Sequence, residues 1–439
     1  MLKDLLNKDK TLDMASEVSS AVTTSPKGPT SMDPRVWLGM WALRRSIATE
    51  RKTIQRTGTS TPKDRKSYLP RDMVLSFLQA HQEERTATGV KDERTVTGVK
   101  FAEGASATHG FDYHWVTGFL KELTTHLVRR VLFTLPRDAP RTVAVAPDAR
   151  IILVGDWGTG EGVALDVAAQ MRNQIDAADQ REVHVVHLGD VYYAGTRWEA
   201  HHRFLEHWPV RPDEAARVRS WCLNGNHDMY SAGEGLFDVI LADDRFSHQR
   251  TERDRTTSEF HLRNDHWDIV GLDTSWKFQL TDVRGGAGHL QPRQCRWLVA
   301  RLAGAGRRRM LLSHHQPFTD RDDGAGVIAI GNLLEATSPL RKERDIDAWF
   351  WGHEHRLITY RTRDGIDYAA CMGHGAVLEE PAKAAATGAG EAEFGATFID
   401  SDGDEWRMPG FAVVDLAGPT ATVRYIDMNG DPWRAPDVL

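Results

Sequence analysis

Cysteine is scarce in this sequence, which has three cysteines among 439 residues, at Cys222, Cys295 and Cys371. Their number is odd, no two of them form a CxxC pair, and none stands with histidine at zinc-finger spacing. These absences argue against a disulfide-stabilised secreted domain and against a structural zinc finger. A reducing compartment is therefore expected.

Long apolar runs are missing as well. No stretch of about eighteen apolar residues occurs, as a membrane-spanning helix would need, and the first thirty residues lack the apolar segment typical of a secretion signal. We therefore expect a soluble, cytoplasmic protein with no membrane partner. Arg and Lys are not concentrated in a groove-like run near the motifs described below, so nucleic acid is not expected as a partner.

The length and a change in residue pattern along the chain indicate two parts, because 439 residues exceed the usual size of one domain. Apolar spacing predicts helices over Trp37 to Thr53, Tyr68 to Glu84 and Trp115 to Val131. Further along, apolar runs alternate with helix-like segments, which is typical of a layered α/β domain. We expect a small, mainly helical region of unknown role over residues 1–145 and an α/β domain over residues 146–439.

Five short motifs in the second part each follow an apolar run. They are GDWGTG at Asp156, GDVYYAG at Asp190, GNHD from Asn226 to Asp228, LLSHHQPF with His314 and His315, and GHEHR with His353 and His355. The apolar runs predict buried strands, so metal-capable side chains stand at strand ends and converge. Carboxylate, amide and imidazole groups together suit Fe, Mn or Zn better than Mg or Ca. A single motif of this kind is weak, but the ordered set predicts a two-metal centre.

The ordered set resembles the signature of the calcineurin-like metallophosphoesterases: D-x-[HG], GDxxx, GNH[DE], an apolar run ending in His, and GHxH. The resemblance spans roughly Ala146 to Asp427. It implies a four-layer α/β/β/α metallophosphoesterase sandwich, here with a small helical N-terminal region. It also implies a hydrolase that acts on phosphate ester bonds with the help of two metal ions.

Two positions make the chain most similar to the purple acid phosphatase branch of that superfamily. Most members have His two positions after the first Asp, where this sequence has Gly158. The branch instead has a tyrosine three residues after the second Asp, and Tyr193 fits that GDxxY spacing. A tyrosine oxygen favours trivalent iron, so the resemblance implies iron paired with iron, manganese or zinc. The alternative for Tyr193 is an aromatic ring that packs under the loop.

The family pattern also implies a role for each site residue. One metal would be bound by Asp156, Asp190, Tyr193 and His355, and the other by Asp190, Asn226, His314 and His353, so that Asp190 bridges them. A hydroxide activated by both metals would attack phosphorus. His227, oriented by Asp228, would protonate the leaving group. His314 is favoured as the ligand because it directly follows the apolar run, and His315 would then face the substrate phosphate.

These expectations define a small phosphorylated substrate, with monoesters preferred. The alternative activity is that of a phosphodiesterase, including cyclic nucleotide or nucleotide hydrolysis, and the non-enzyme alternative is a metal-binding scaffold protein that keeps the fold. Every ligand position is filled, which argues against the scaffold. Asp273 matches none of the motifs, and no role is assigned to it. Substrate identity and oligomeric state stay open.

Overall fold

The computed structural model describes residues 15–16, 19, 33–57, 72–87, 113–276, 288–319, 328–329, 332–379, 381, 391–401 and 403–439. Most of the first 32 residues, on which the expectation about secretion rests, lie outside these ranges. The chain divides into two compact units, one of Met1–Leu132 with Tyr230–Ala232 and one of Phe133–Met229 with Gly233–Leu439. Within the described ranges, no helix combines the length and apolar character that a membrane span requires.

The first unit contains three described helices of some length, α1 (Pro34–Thr57), α2 (Met73–Ala87) and α3 (Tyr113–Leu132). They confirm the helices predicted from apolar spacing, with ends that differ by a few residues. The unit has its own apolar interior, which includes Leu43, Phe77, Leu78, Phe119 and Leu123. Helix α1 lies close to α3, since a Cβ at Gly39 would stand 2.5 Å from the carbonyl oxygen of Leu120.

The second unit is built from short strands and helices. Its strands are β1 (Thr142–Ala144), β2 (Arg150–Val154), β3 (Val183–His187), β4 (Val218–Cys222), β5 (Phe260–Arg263), β6 (Trp267–Leu272), β7 (Arg308–Ser313), β8 (Phe318–Thr319), β9 (Ile328–Ala329), β10 (Ile346–Trp351), β11 (Leu357–Tyr360), β12 (Ile366–Met372), β13 (Glu391–Glu393), β14 (Thr397–Ile399), β15 (Glu405–Arg407), β16 (Gly410–Ala417), β17 (Thr420–Asp427) and β18 (Asp437–Val438). Its α-helices are α4 (Gly162–Asp176), α5 (Arg197–Glu199), α6 (Glu234–Asp238), α7 (Pro292–Leu302) and α8 (Leu333–Glu343), and a π-helix spans Ala200–Leu205. Single 3₁₀ turns lie at Pro212–Glu214, Ile240–Ala242 and Asp244–Phe246.

Two large sheets contain fourteen of these strands, while β8 pairs with β9 and β14 with β15 in two small sheets. In the six-stranded sheet the order is β18-β17-β16-β2-β3-β4, and β2, β3 and β4 run parallel. In the eight-stranded sheet the order is β1-β5-β6-β7-β10-β12-β11-β13, with β6, β7, β10 and β12 parallel. Strands β2, β3, β6 and β10 are buried along their whole length, as parallel strands covered on both sides usually are. Strands β5 and β6 pair in antiparallel orientation.

The sheets face each other across an apolar layer. Side chains alternate along a strand, so Ile151 and Leu153 of β2 point into the layer between the sheets, while Ile152 and Val154 pack with helix α4 on the outside. On the other sheet, α7 and α8 cover the outer face through residues such as Trp297. Each fully buried aliphatic side chain contributes about 1.5–3 kcal/mol to folding. The result is the expected four-layer α/β/β/α sandwich, which is therefore confirmed.

Candidate metal centre

Parallel strands deliver the predicted ligands to one edge of the sandwich. Asp156, Asp190 and Asn226 follow the neighbouring strands β2, β3 and β4, and His314 and His353 follow the neighbouring strands β7 and β10. The carboxyl ends of parallel strands share one edge of a sheet, so five loops from two facing sheets meet there. The structure therefore brings these five side chains together at the strand ends, as expected from the sequence.

Asp190 lies at the middle of this group and is 1% exposed. Its Oδ2 is 3.3 Å from Nε2 of His314, and that nitrogen is 3.0 Å from Oδ1 of Asn226 and 3.3 Å from Nδ1 of His353. The other carboxylate oxygen of Asp190 accepts a hydrogen bond from the backbone N–H of His227 at 2.8 Å. Three of the four side chains that the family pattern assigns to one metal, those of Asp190, Asn226 and His353, thus lie within 3.3 Å of the fourth, His314.

Asp156 connects this group to His355. Its Oδ2 accepts a hydrogen bond from the backbone N–H of His353 at 2.7 Å, and its Oδ1 is 3.4 Å from Nε2 of His355. The second ring nitrogen of His355 lies 3.4 Å from Oε1 of Glu379. A carboxylate on the far nitrogen fixes the ring orientation of a metal-binding histidine. No sequence motif pointed to Glu379, because it follows no recognisable spacing.

The two adjacent tyrosines have different surroundings. The hydroxyl of Tyr192 donates to Oδ1 of Asp156 at 2.6 Å and to Oδ2 of Asp190 at 3.2 Å, and it lies 3.1 Å from Nε2 of His355. The ring of Tyr193 lies under the guanidinium of Arg203, 4.7 Å from Cζ. Asp190 has a positive φ of 74°, which turns the chain so that spacing alone does not decide which tyrosine faces inward. Tyr192 supplies a hydroxyl among the carboxylates, and the assignment of Tyr193 as a metal ligand stays a prediction.

His227 and Asp228 both form hydrogen bonds with the backbone of neighbouring loops. Nδ1 of His227 is 2.6 Å from the carbonyl oxygen of Tyr193 and donates to it. The carboxylate of Asp228 accepts hydrogen bonds from three backbone N–H groups, those of Asp190, Val191 and Gly225. Asp228 therefore holds two ligand loops together, and the Tyr193 carbonyl helps to orient the ring of His227.

His315 is held beside the cluster by the segment after β6. Its Nδ1 is 3.0 Å from the hydroxyl of Thr274, and its ring centroid is 4.6 Å from that of His353. The preceding Asp273 accepts hydrogen bonds from the side-chain amide of Asn224 at 3.0 and 3.2 Å. Asp273, to which sequence gave no role, thus supports the loop that carries Asn226.

The cluster attracts positive charge. Burial alone would lower the pKa of His314, but the charge and hydrogen bond of Asp190 raise it to about 9. Burial would also lower the pKa of His355, but the hydrogen bonds that its ring donates to the carboxylates of Asp156 and Glu379 outweigh burial and raise this pKa to about 9. His314 in turn overcomes the effect of burial on Asp190 and holds the pKa of that carboxyl well below its usual range.

The same side chains form two groups of potential metal ligands. Asp156, Asp190 and His314 make one, and His314, His315 and His353 the other, with ligand atoms within 4.8 Å of one another in each. Buried oxygen and nitrogen donors that point at each other fit a cation of the Fe, Mn or Zn class.

The backbone at the ligands is unusual. Positive φ angles occur at four ligand positions, with values of 57° at Asp156, 74° at Asp190, 70° at His353 and 41° at His355. Residues other than glycine seldom adopt this region of backbone conformation. Close approach also requires glycine next to them, because a Cβ at Gly225 would clash with Oδ1 of Asp190. The glycines of the motifs therefore make room for the carboxylates.

Comparison with known proteins accounts for this arrangement. Residues 149–357 match the family model described as calcineurin-like phosphoesterase. This part of the chain is similar to calcineurin-like phosphoesterases. The family supports a metal-dependent phosphoesterase as the general class of activity, and the buried His and Asp groups agree with the two metal ions that such domains usually bind. No curated protein matches the chain.

Three solved structures illustrate how far the likeness extends. GAP50, the anchor in the inner membrane complex of Plasmodium, is 13% identical, with 66% of this chain and 88% of that chain covered and a TM-score of 0.47. A predicted phosphoesterase from Streptococcus pneumoniae TIGR4 is 11% identical, with coverage of 66% and 96% and a TM-score of 0.28. A Vps29 single mutant from Entamoeba histolytica is 12% identical, with coverage of 66% and 98% and a TM-score of 0.26.

Proposed function

We propose that this chain hydrolyses phosphate monoesters with two metal ions. The observation that carries the proposal is the meeting of Asp156, Asp190, Asn226, His314 and His353 at the ends of five parallel strands. The calcineurin-like phosphoesterase domain supports the reaction class. We also propose a cytoplasmic location, a small phosphorylated substrate and a division of the chain at residue 145.

The contacts support a division of the donors between two ions. Asp156, His355 and the hydroxyl of Tyr192 would hold one, and Asn226, His314 and His353 the other, with Asp190 in contact with members of both groups. When bound, two such ions supply positive charge at phosphorus and lower the pKa of the water that attacks it. The tyrosine oxygen supports trivalent iron at the first position and iron, manganese or zinc at the second.

His227 is the candidate proton donor to the leaving group. Since Nδ1 donates to the carbonyl of Tyr193, a proton at Nε2 requires a cationic ring. Burial lowers the pKa of His227, which disfavours that cation before substrate binds. The dianionic phosphate of a monoester stabilises an imidazolium more than the single charge of a diester does. This difference supports monoesters as the preferred substrates.

The test uses the full chain loaded separately with iron, manganese and zinc. Turnover of p-nitrophenyl phosphate, bis(p-nitrophenyl) phosphate and cyclic AMP is compared for the wild type, Asp190→Asn and the exposed control Asp213→Asn. We expect monoester hydrolysis that Asp190→Asn removes and Asp213→Asn keeps. Preference for either diester would favour the phosphodiesterase, and no turnover in any metal-loaded form would favour the scaffold protein.

A further inference from the structure

A second group of metal-capable side chains lies on the outer face of the π-helix. His201 and Glu206 are exposed by 58% and 46% of their side-chain surface, and His202 by 42%. Glu206 caps the C-terminal end of the helix. None of the three belongs to the candidate metal centre. The opposite face of the same helix is buried through Arg203 and Phe204, which gives the exposed trio a fixed backbone.

The three side chains point at one position. Nδ1 of His201 is 3.3 Å and Nδ1 of His202 is 3.0 Å from the same carboxylate oxygen, Oε1 of Glu206. Their ligand atoms all lie within 4.8 Å of one another. The two imidazole rings have centroids 4.7 Å apart, and the ring of Trp198 packs 4.9 Å from that of His202.

The π-helix explains why adjacent histidines can share one carboxylate. In an α-helix, side chains at i and i+1 do not face each other, and a Glu five residues after the first histidine points elsewhere. Here the backbone N–H of Glu206 donates to the carbonyl of His201, five residues earlier. This wider turn brings Glu206 above both histidines at once. Single π-turns of this kind occur frequently at functional sites.

We propose that His201, His202 and Glu206 form a surface site for a borderline divalent ion such as Zn²⁺. Two imidazoles and one carboxylate are a known zinc donor set that leaves a fourth position to water. The exposure of all three side chains gives an ion direct access from solvent. The proposal does not depend on phosphate hydrolysis, so either can fail without the other.

The buried face of the π-helix connects this surface site to loops of the candidate metal centre. Arg203 donates to the carbonyl of Thr159 at 2.6 Å and covers the ring of Tyr193. Glu199, just before the π-helix, accepts hydrogen bonds from the backbone N–H groups of Tyr193 and Ala194. An ion on the outer face would restrain the helix that holds both loops.

The test counts zinc ions on the metal-stripped full chain by equilibrium dialysis with elemental analysis. We expect His201→Ala/His202→Ala to bind one ion fewer than the wild type, while the neighbouring control His207→Ala binds the wild-type number. Circular dichroism checks that each variant is folded. Glu206→Gln, a smaller change, should lower the affinity for that one zinc ion at least tenfold.

Copper supplies an independent signal. With one equivalent of Cu²⁺ added to zinc-loaded protein, electron paramagnetic resonance should show nitrogen coupling that the double variant loses. Equal zinc counts in the wild type and the double variant would overturn the proposal, as would a His207→Ala variant that loses the same ion.

Discussion

The adjacent tyrosines allow a decisive experiment, because motif spacing points to Tyr193 and the structure to Tyr192. We replace each with phenylalanine, which keeps the ring and removes only the hydroxyl. The hydroxyl of Tyr192 touches Asp156, Asp190 and His355 at 2.6, 3.2 and 3.1 Å. Burial, and then the charge of Asp156, raise the pKa of Tyr192 well above its usual range, so this phenol stays protonated until a strongly charged cation binds.

The expected loss follows from those contacts. Removing a group that contacts metal-binding side chains typically lowers metal affinity or activity by about 10- to 100-fold. Tyr192→Phe should therefore reduce turnover of p-nitrophenyl phosphate by that amount. Tyr193→Phe keeps its ring against Arg203 and should stay within about threefold of the wild type.

The assay combines turnover with the visible spectrum of the iron-loaded protein. A phenolate bound to ferric iron gives a charge-transfer band, which Tyr192→Phe should abolish and Tyr193→Phe should keep. The metal-free protein, with a protonated phenol, is the blank. A band that survives in Tyr192→Phe and disappears in Tyr193→Phe would refute the assignment and restore the one from motif spacing.

Three further predictions test other parts of the centre. Gly225→Ala should displace the Asp190 carboxylate and lower metal affinity at least tenfold. The control Gly162→Ala, where the added Cβ meets nothing within 4 Å, should keep the wild-type affinity. Metal titration of both variants checks this prediction. His227→Ala should keep both metals but lose more rate on an alkyl phosphate than on an aryl phosphate, and equal losses would remove its role as acid. Because the pKa values of His314 and His355 are about 9, both rings must lose a proton to bind metal. The metal affinity should therefore rise with pH up to about 9, and calorimetry in buffers of different ionisation enthalpy should measure the proton release. A metal affinity that does not depend on pH would contradict this prediction.

Sequence could predict much of the fold because the pattern is local. The apolar run before Asp156 is β2, and the run before Asp190 is β3. The polar side chains at their ends then converge through the general geometry of parallel strands. Helices α1, α2 and α3, which lie within the described residues, followed from apolar spacing in the same way.

Other parts of the site depend on contacts that spacing does not encode. The direction of Tyr192 follows from a loop with positive φ at Asp190. Asp228 contacts the backbone of residues 37 and 38 positions earlier, and Asp273 meets Asn224 across 49 positions. The Asp228 contacts join loops that follow the neighbouring strands β3 and β4 of one sheet, and the contact of Asp273 with Asn224 joins loops from the two sheets. A motif read along one strand therefore leaves these partners out.

The positive φ angles at Asp156, Asp190, His353 and His355 have a consequence for how this domain tolerates change. A left-handed backbone costs a residue with a side chain roughly 1–2 kcal/mol relative to its relaxed conformation. On this backbone, glycine at any of the four positions would relieve that cost. A design procedure that optimises stability alone would therefore erase the ligands first. The non-glycine ligands at these four positions therefore mark the part of the chain where function is kept at a cost to folding stability.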